Sequence, residues 1–308
     1  MPLSIFGFQA LWSPVFFGVI ALVTVLYFVI TIKWRYKFKE SEPLKQKEAT
    51  TFVIAMVLLY AVKGSPLDLL GHIIFSIHMT QMAILLLLIA PLLIMGIPWW
   101  VWRAFINLPI IRPLFNFFSK PMLALILFGM FFSLYHLPLV FDFVKTDMMI
   151  HGLVNVLLFV SALFFWWPVV NKLEGEFKFH GLKKIGFLFA LGVMMTPACA
   201  LIIFSNAPFY ATYTDGEAWM QAMALCVPMG TLTQLGISGP EMFTNMSPLE
   251  DQRTGGIVMK VLQELVFTGF LWMVFYEWLK NEQDNADDIT AKTLLDRQEM
   301  ALHRHNAQ

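Results

Sequence analysis

From Ser13 to Ile32 the chain runs 20 residues without a charged side chain. At about 1.5 Å of rise per helical residue, such a run crosses the roughly 30 Å hydrocarbon layer of a bilayer. In that layer a backbone satisfies its own polar groups only as a helix or a closed barrel. Similar runs follow near Thr50 to Val62, Leu69 to Met95, Pro121 to Val140, Met148 to Val170, Ile185 to Asn206 and Gly256 to Trp278. Hydrophobic residues make up 58% of the chain and charged ones 14%, where a soluble domain carries about a quarter charged. The expectation is an all-α, polytopic integral membrane bundle of seven transmembrane helices. It occupies residues 1–279, with an outer segment at 207–255, and is followed by a polar C-terminal tail at 280–308 that holds a short helix from about Asp288 to Leu302.

The first basic residue is Lys33, so no positively charged start precedes the first apolar run and no cleavable signal is expected. Basic residues also set the orientation, because positive loops stay on the cytoplasmic side. Six lie in 33–49, three in 96–120 (Arg103, Arg112, Lys120) and four in 171–184, whereas the intervening loops hold only Lys63, Lys145 and Arg253. A multi-pass protein of the cell membrane is expected, N-terminus outside and C-terminus cytoplasmic. Trp219 to Ile237 is long enough to span, but Gln221, Pro228, Gly230, Thr231, Thr233 and Gln234 suit it poorly to lipid. It is placed outside; if it crossed, the count would be eight.

By depth, the chemically interesting residues gather toward one side. His72 and His78 lie in the outer part of the third apolar run, His136 near the outer end of the fourth, and His151 near the outer start of the fifth. Met79 and Met82 flank His78, Met148 and Met149 precede His151, and Met194 and Met195 precede Cys199. On a continuous helix His78, Gln81 and Met82 share one face, and His72, Ser76 and Met79 another. Imidazole with thioethers is a soft donor set that suits Cu(I), whereas zinc favours thiolates or carboxylates and calcium all oxygen. Packing is the commoner explanation for any single Met, and an intramembrane His also serves as an interhelical hydrogen-bond partner. The tail histidines, His303 and His305, read as solvated. Asp251 stands either as a ligand from above or as a helix cap, and Lys260 with Glu264 one turn on as an internal ion pair or part of a proton or metal path.

Three stretches carry a resemblance to a known family: SPLDLLG (Ser65 to Gly71), FSIHMTQM (Phe75 to Met82) and SPLEDQRTGG (Ser247 to Gly256). Over residues 10 to 280 the chain resembles the Bacillus-type CtaG family, assembly factors of the caa(3)-type cytochrome c oxidase. The resemblance implies an accessory protein that matures a haem-copper oxidase, not an enzyme. Its expected partners are the oxidase subunits, the lipid bilayer and a copper chaperone, with no nucleic acid. Met82 stands where relatives place a second His, Lys260 where an aromatic residue is usual, and Thr212 to Met246 is longer than the family's connection. The expected copper ligands are His78, Met82, His136 and His151, with His72, Met79 and Asp251 as further candidates. Cys199 and Cys226 pair in a disulfide or serve as thiolates. The rival readings are a haem-binding electron-transfer protein and a copper or proton transporter using Lys260 and Glu264. The chain has no Gly-rich phosphate loop, GxSxG or HExxH on which to rest a catalytic reading.

Overall fold

The computed structural model describes residues 1–173, 181–237 and 239–306, and the side chains of all of these except 182, 287–289, 291–292 and 294–306. Among the described residues every regular element is helical. Five helices are long and apolar enough to cross a membrane: Leu3–Lys33, Phe75–Gly96, Met148–Val170, Lys183–Ile203 and Pro248–Ala286. Two bent pairs, Gln46–Lys63 with Pro66–Ile73 and Ile111–Phe118 with Pro121–Tyr135, turn by 45° and 81° and would bring the number to seven if each is one span. The expected count of seven is therefore bracketed at five to seven.

The expected helix from Leu69 to Met95 is two helices. At Ile74 the chain is extended (φ −125°, ψ 123°), ending Pro66–Ile73 before Phe75 starts the next. No local signal forces this break, since both flanks are apolar. Its support comes from the last helix: Asp251 accepts the N–H groups of Phe75 and Ser76 at 2.6 and 3.0 Å, filling the orphan donors of a new helix start with a carboxylate. As a result His72 does not share a helix face with Ser76 and Met79. A π-helical stretch, Ile84–Ile89, follows in the same span, just ahead of Pro91, whose missing N–H and ring disturb the α pattern.

The expected helix from Pro121 to Val140 ends at Tyr135, and Pro138–Thr146 forms a separate helix. Here the reason is local, because Leu137 precedes a proline and is held extended. Trp219 to Ile237 forms two short helices, Gly216–Met223 and Met229–Gln234, with Pro228 capping the second. They pack beneath Phe6, Leu69 and Ile73. The final helix runs unbroken from Pro248 to Asn306, in place of a separate short helix from Asp288 to Leu302. No Gly or Pro interrupts it after Gly269.

Between helices in a bilayer the hydrophobic effect contributes little, so close packing and polar ties decide. A Cβ at Gly255 would stand 2.7 Å from Phe75 Cδ1 and one at Gly256 2.7 Å from Ile203 Cγ1, so the last helix lies almost in contact with two neighbours there. The lysine-rich end is tied by ion pairs, Lys172 to Glu48 at 2.8 Å and Lys184 to Glu277 at 2.9 Å. At the other end Asp142 accepts from Ala211 N, Thr212 N and Thr212 Oγ1 at 3.0, 3.1 and 2.8 Å, holding the segment 207–255 onto the bundle.

Candidate functional site

The bend between Lys63 and Pro66 is fastened by Gln81, whose amide nitrogen donates to Val62 O at 2.9 Å and Leu67 O at 2.7 Å. Ser65 caps the short helix by accepting from Leu67 N at 3.2 Å, and Tyr213 Oη donates to Gly71 O at 2.6 Å. So fixed, Pro66–Ile73 presents Asp68 and His72, four residues apart, on one side. The segment 207–255 brings Cys226 to the same place, and one potential ligand atom from each of Asp68, His72 and Cys226 lies within 4.8 Å of the others. His151 adjoins them, its ring centroid 5.4 Å from that of His72, and its buried Nδ1 has no hydrogen-bond partner.

The residues expected from sequence have different partners. His72 and His151 meet. His78 Nε2 instead lies 3.4 Å from Tyr135 Oη, with its ring edge-on to Phe141 at 5.2 Å. His136 Nδ1 lies 2.7 Å from Phe132 O, a contact that assigns its proton to Nδ1, and its buried Nε2 is left without a partner. Met79 and Met82 are core residues, Met79 close against Gly255. Both oxygens of Asp251 are engaged as the cap described above. His180 lies outside the described residues, as do the side chains of His303 and His305.

Asp68 escaped sequence reasoning, and Cys226 was named there only as one of two cysteines that pair or serve as thiolates. Asp68 stands inside the SPLDLLG stretch, and its spacing to His72 was signal enough to find it. Cys226 lies in the long connection 207–255, where nothing in the sequence sets its distance from His72. Cys199 and Cys226 are both free thiols.

Positive charge crowds the group. Lys63 pairs with Asp68 at 3.2 Å. Lys145, 1% exposed, places Nζ 3.3 Å from His72 Nδ1 and over the rings of Phe141 and Tyr213 at 5.9 and 5.5 Å. Burial, and then the nearby Lys63, push the Lys145 amine down to about 7. Burial and the Asp68 carboxylate push the Cys226 thiol up to about 12.

Lys145 has a consequence for stability. Unfolded, its amine keeps a proton to about pH 10.5, but folded only to about 7. Between those limits the unfolded chain binds more protons, so stability rises with pH; the penalty is fully present below the window and gone above it. Lys145→Met is expected to raise the thermal midpoint in detergent at neutral pH and to flatten that rise. Equal pH slopes for the two proteins would contradict this.

Deeper in the last helix, Lys260 pairs with Glu264 at 2.7 Å and reaches Thr196 Oγ1 at 3.3 Å, so the internal ion pair is formed.

Neither a curated protein nor a solved structure matches the chain. The family model for the cytochrome c oxidase caa3 assembly factor (CtaG) matches residues 25–281, most of the chain and every residue of the group just described. With several helices long and apolar enough to cross a membrane and this match over most of its length, the chain belongs to the family of cytochrome c oxidase caa3 assembly factors.

Proposed function

We propose that this assembly factor carries Cu(I) as cargo for the oxidase, held at the outer face of the cell membrane by Cys226, His72 and Asp68, with His151 as the adjoining donor. The observation that supports this is the meeting of three ligand types from two distant segments within 4.8 Å. Thiolate and imidazole are soft donors suited to a cuprous ion. An Asp, His and Cys set would also accept zinc, but Lys63 and Lys145 stand beside it. Coulomb repulsion from these amines, to the extent that each is protonated, opposes a divalent ion twice as strongly as a monovalent one. With the lysine-rich end in the cytoplasm, the group opens to the side where an oxidase subunit would collect an external metal.

Anaerobic loading with Cu(I), followed by metal analysis of the purified protein, is the test. About one copper per chain is expected, and Cys226→Ser or His72→Ala should weaken retention by on the order of 100-fold, the loss of a strong ligand. Helical content should not change. Because binding expels the thiol proton, affinity should also rise with pH. Stoichiometric copper that survives both changes but is lost on replacing His78 and His136 would move the seat to the pair around Phe141. A Soret band in the purified protein would replace the copper reading with a haem one.

A further inference from the structure

The Lys260–Glu264 pair lies at a depth where charge is rarely exposed. Asp251 marks one end of the apolar part of the last helix, because it caps Phe75 at the start of the span Phe75–Gly96. Glu277 marks the other, paired with Lys184 at the start of Lys183–Ile203. Glu264 is thirteen residues from each, about 20 Å of helix either way, and so sits at the middle of the bilayer. Ionisable residues at that depth almost always face the interior of a bundle or a water-filled cavity. These face outward: the side chain of Glu264 is 58% exposed and that of Lys260 30%. Lys260 does not reach back toward the interface, because its ammonium is taken by Glu264 and by Thr196 on the neighbouring helix.

The pair cancels net charge, but the outward oxygens of Glu264 retain acceptor capacity that hydrocarbon cannot use. The same helix face continues through Val261, Leu265 and Thr268 to Trp272, all exposed. At its flank Gly269 has nothing within 4 Å of a Cβ position. It lines an open groove of about 430 Å³ with Leu88, Leu92 and Met273. Small residues at such a place let another helix approach closely, and polar side chains across the contact hold it. A lipid chain fits the groove but gives Glu264 no donor.

We infer that this face of the last helix, from the Gly269 groove to Glu264, is the docking surface for a transmembrane helix of the oxidase subunit under assembly, one that carries a hydrogen-bond donor at mid-membrane depth. The inference rests on the assembly role of the family and not on the copper site.

The test is a photo-crosslinking residue at Leu265 in cells that make the oxidase, with Leu153, 60% exposed on the helix Met148–Val170, as the control position. Leu265 should yield a product containing an oxidase membrane subunit, identified by mass, and Leu153 should not. Lys260→Met with Glu264→Leu leaves neither charge unpaired, and should keep the fold while recovering at least about tenfold less of that subunit, the equivalent of one to two interhelical hydrogen bonds. Gly269→Leu, which fills the groove, should reduce recovery in the same direction. Crosslinks from Leu265 to lipid alone or to a second copy of this chain would overturn the inference, as would subunit recovery at the wild-type level from both variants. The crosslink needs no metal, so copper content measured on the same preparations reads the cargo proposal separately.

Discussion

Asp251→Ala is expected to destabilise the protein by about 3 to 5 kcal/mol, because it leaves two buried backbone donors without an acceptor and removes a charge-assisted cap. The donors are Phe75 N and Ser76 N, and they begin the helix that carries His78, Met79, Gln81 and Met82. No nearby group replaces the carboxylate in capping them, since Ile74 before them is extended and apolar. The loss should spread, because Gln81 from the same helix fastens the bend beneath Asp68 and His72. An unfolding titration in mixed micelles reads the stability. Hydrogen exchange at Phe75 and Ser76 reads the cause. Asp251→Asn, which keeps one acceptor oxygen, should lose roughly half as much. A stability equal to wild type for Asp251→Ala would mean that the break at Ile74 is held by something other than this cap.

Gly255→Val should be nearly as damaging, by about 2 to 3 kcal/mol, through overpacking rather than through lost hydrogen bonds. Even a bare Cβ there would stand 2.7 Å from Phe75 Cδ1 and 3.1 Å from Met79 Cγ. Phe75 has no room to yield, stacked on Tyr210 at 4.6 Å and edge-on to Tyr213 at 5.4 Å. The last helix would have to move outward, and Asp251, one turn above, would move with it. Gly255→Ala should cost about half as much, with the difference read in the same titration. Gly255→Val at wild-type stability would show that the helix contact is looser than the distances imply.

These two expectations also show how unevenly the molecule was legible. The span at Met148–Val170 follows from an uncharged apolar run, that at Pro248–Ala286 from a largely apolar one broken by Lys260 and Glu264, and the end of the fourth run before Pro138 follows from the proline itself. The break at Ile74 has no such mark, because its cause lies 176 residues away in the chain. For that reason the face assignment of His72 with Ser76 and Met79 did not hold, although both halves are helical as expected. The same holds within the candidate site. Asp68 and His72 were within reach of simple helical spacing, whereas Cys226 joins them only because the segment 207–255 folds back and is pinned by Asp142. The ion pair of Lys260 with Glu264 was readable from its four-residue spacing, but its outward aim was not.

By itself the sequence pointed to the solvent of this protein and its helical class, because a backbone in hydrocarbon satisfies its hydrogen bonds only as a helix or a closed barrel, and apolar runs of about 20 residues fit the helix and are too long for barrel strands. It also held the motifs that mark the oxidase assembly family. Only the tertiary structure decided which candidate donor side chains stand together, where one span breaks, and which charged pair faces out of the bundle. Those outcomes depend on contacts between segments far apart in the chain, and local periodicity carries no information about them.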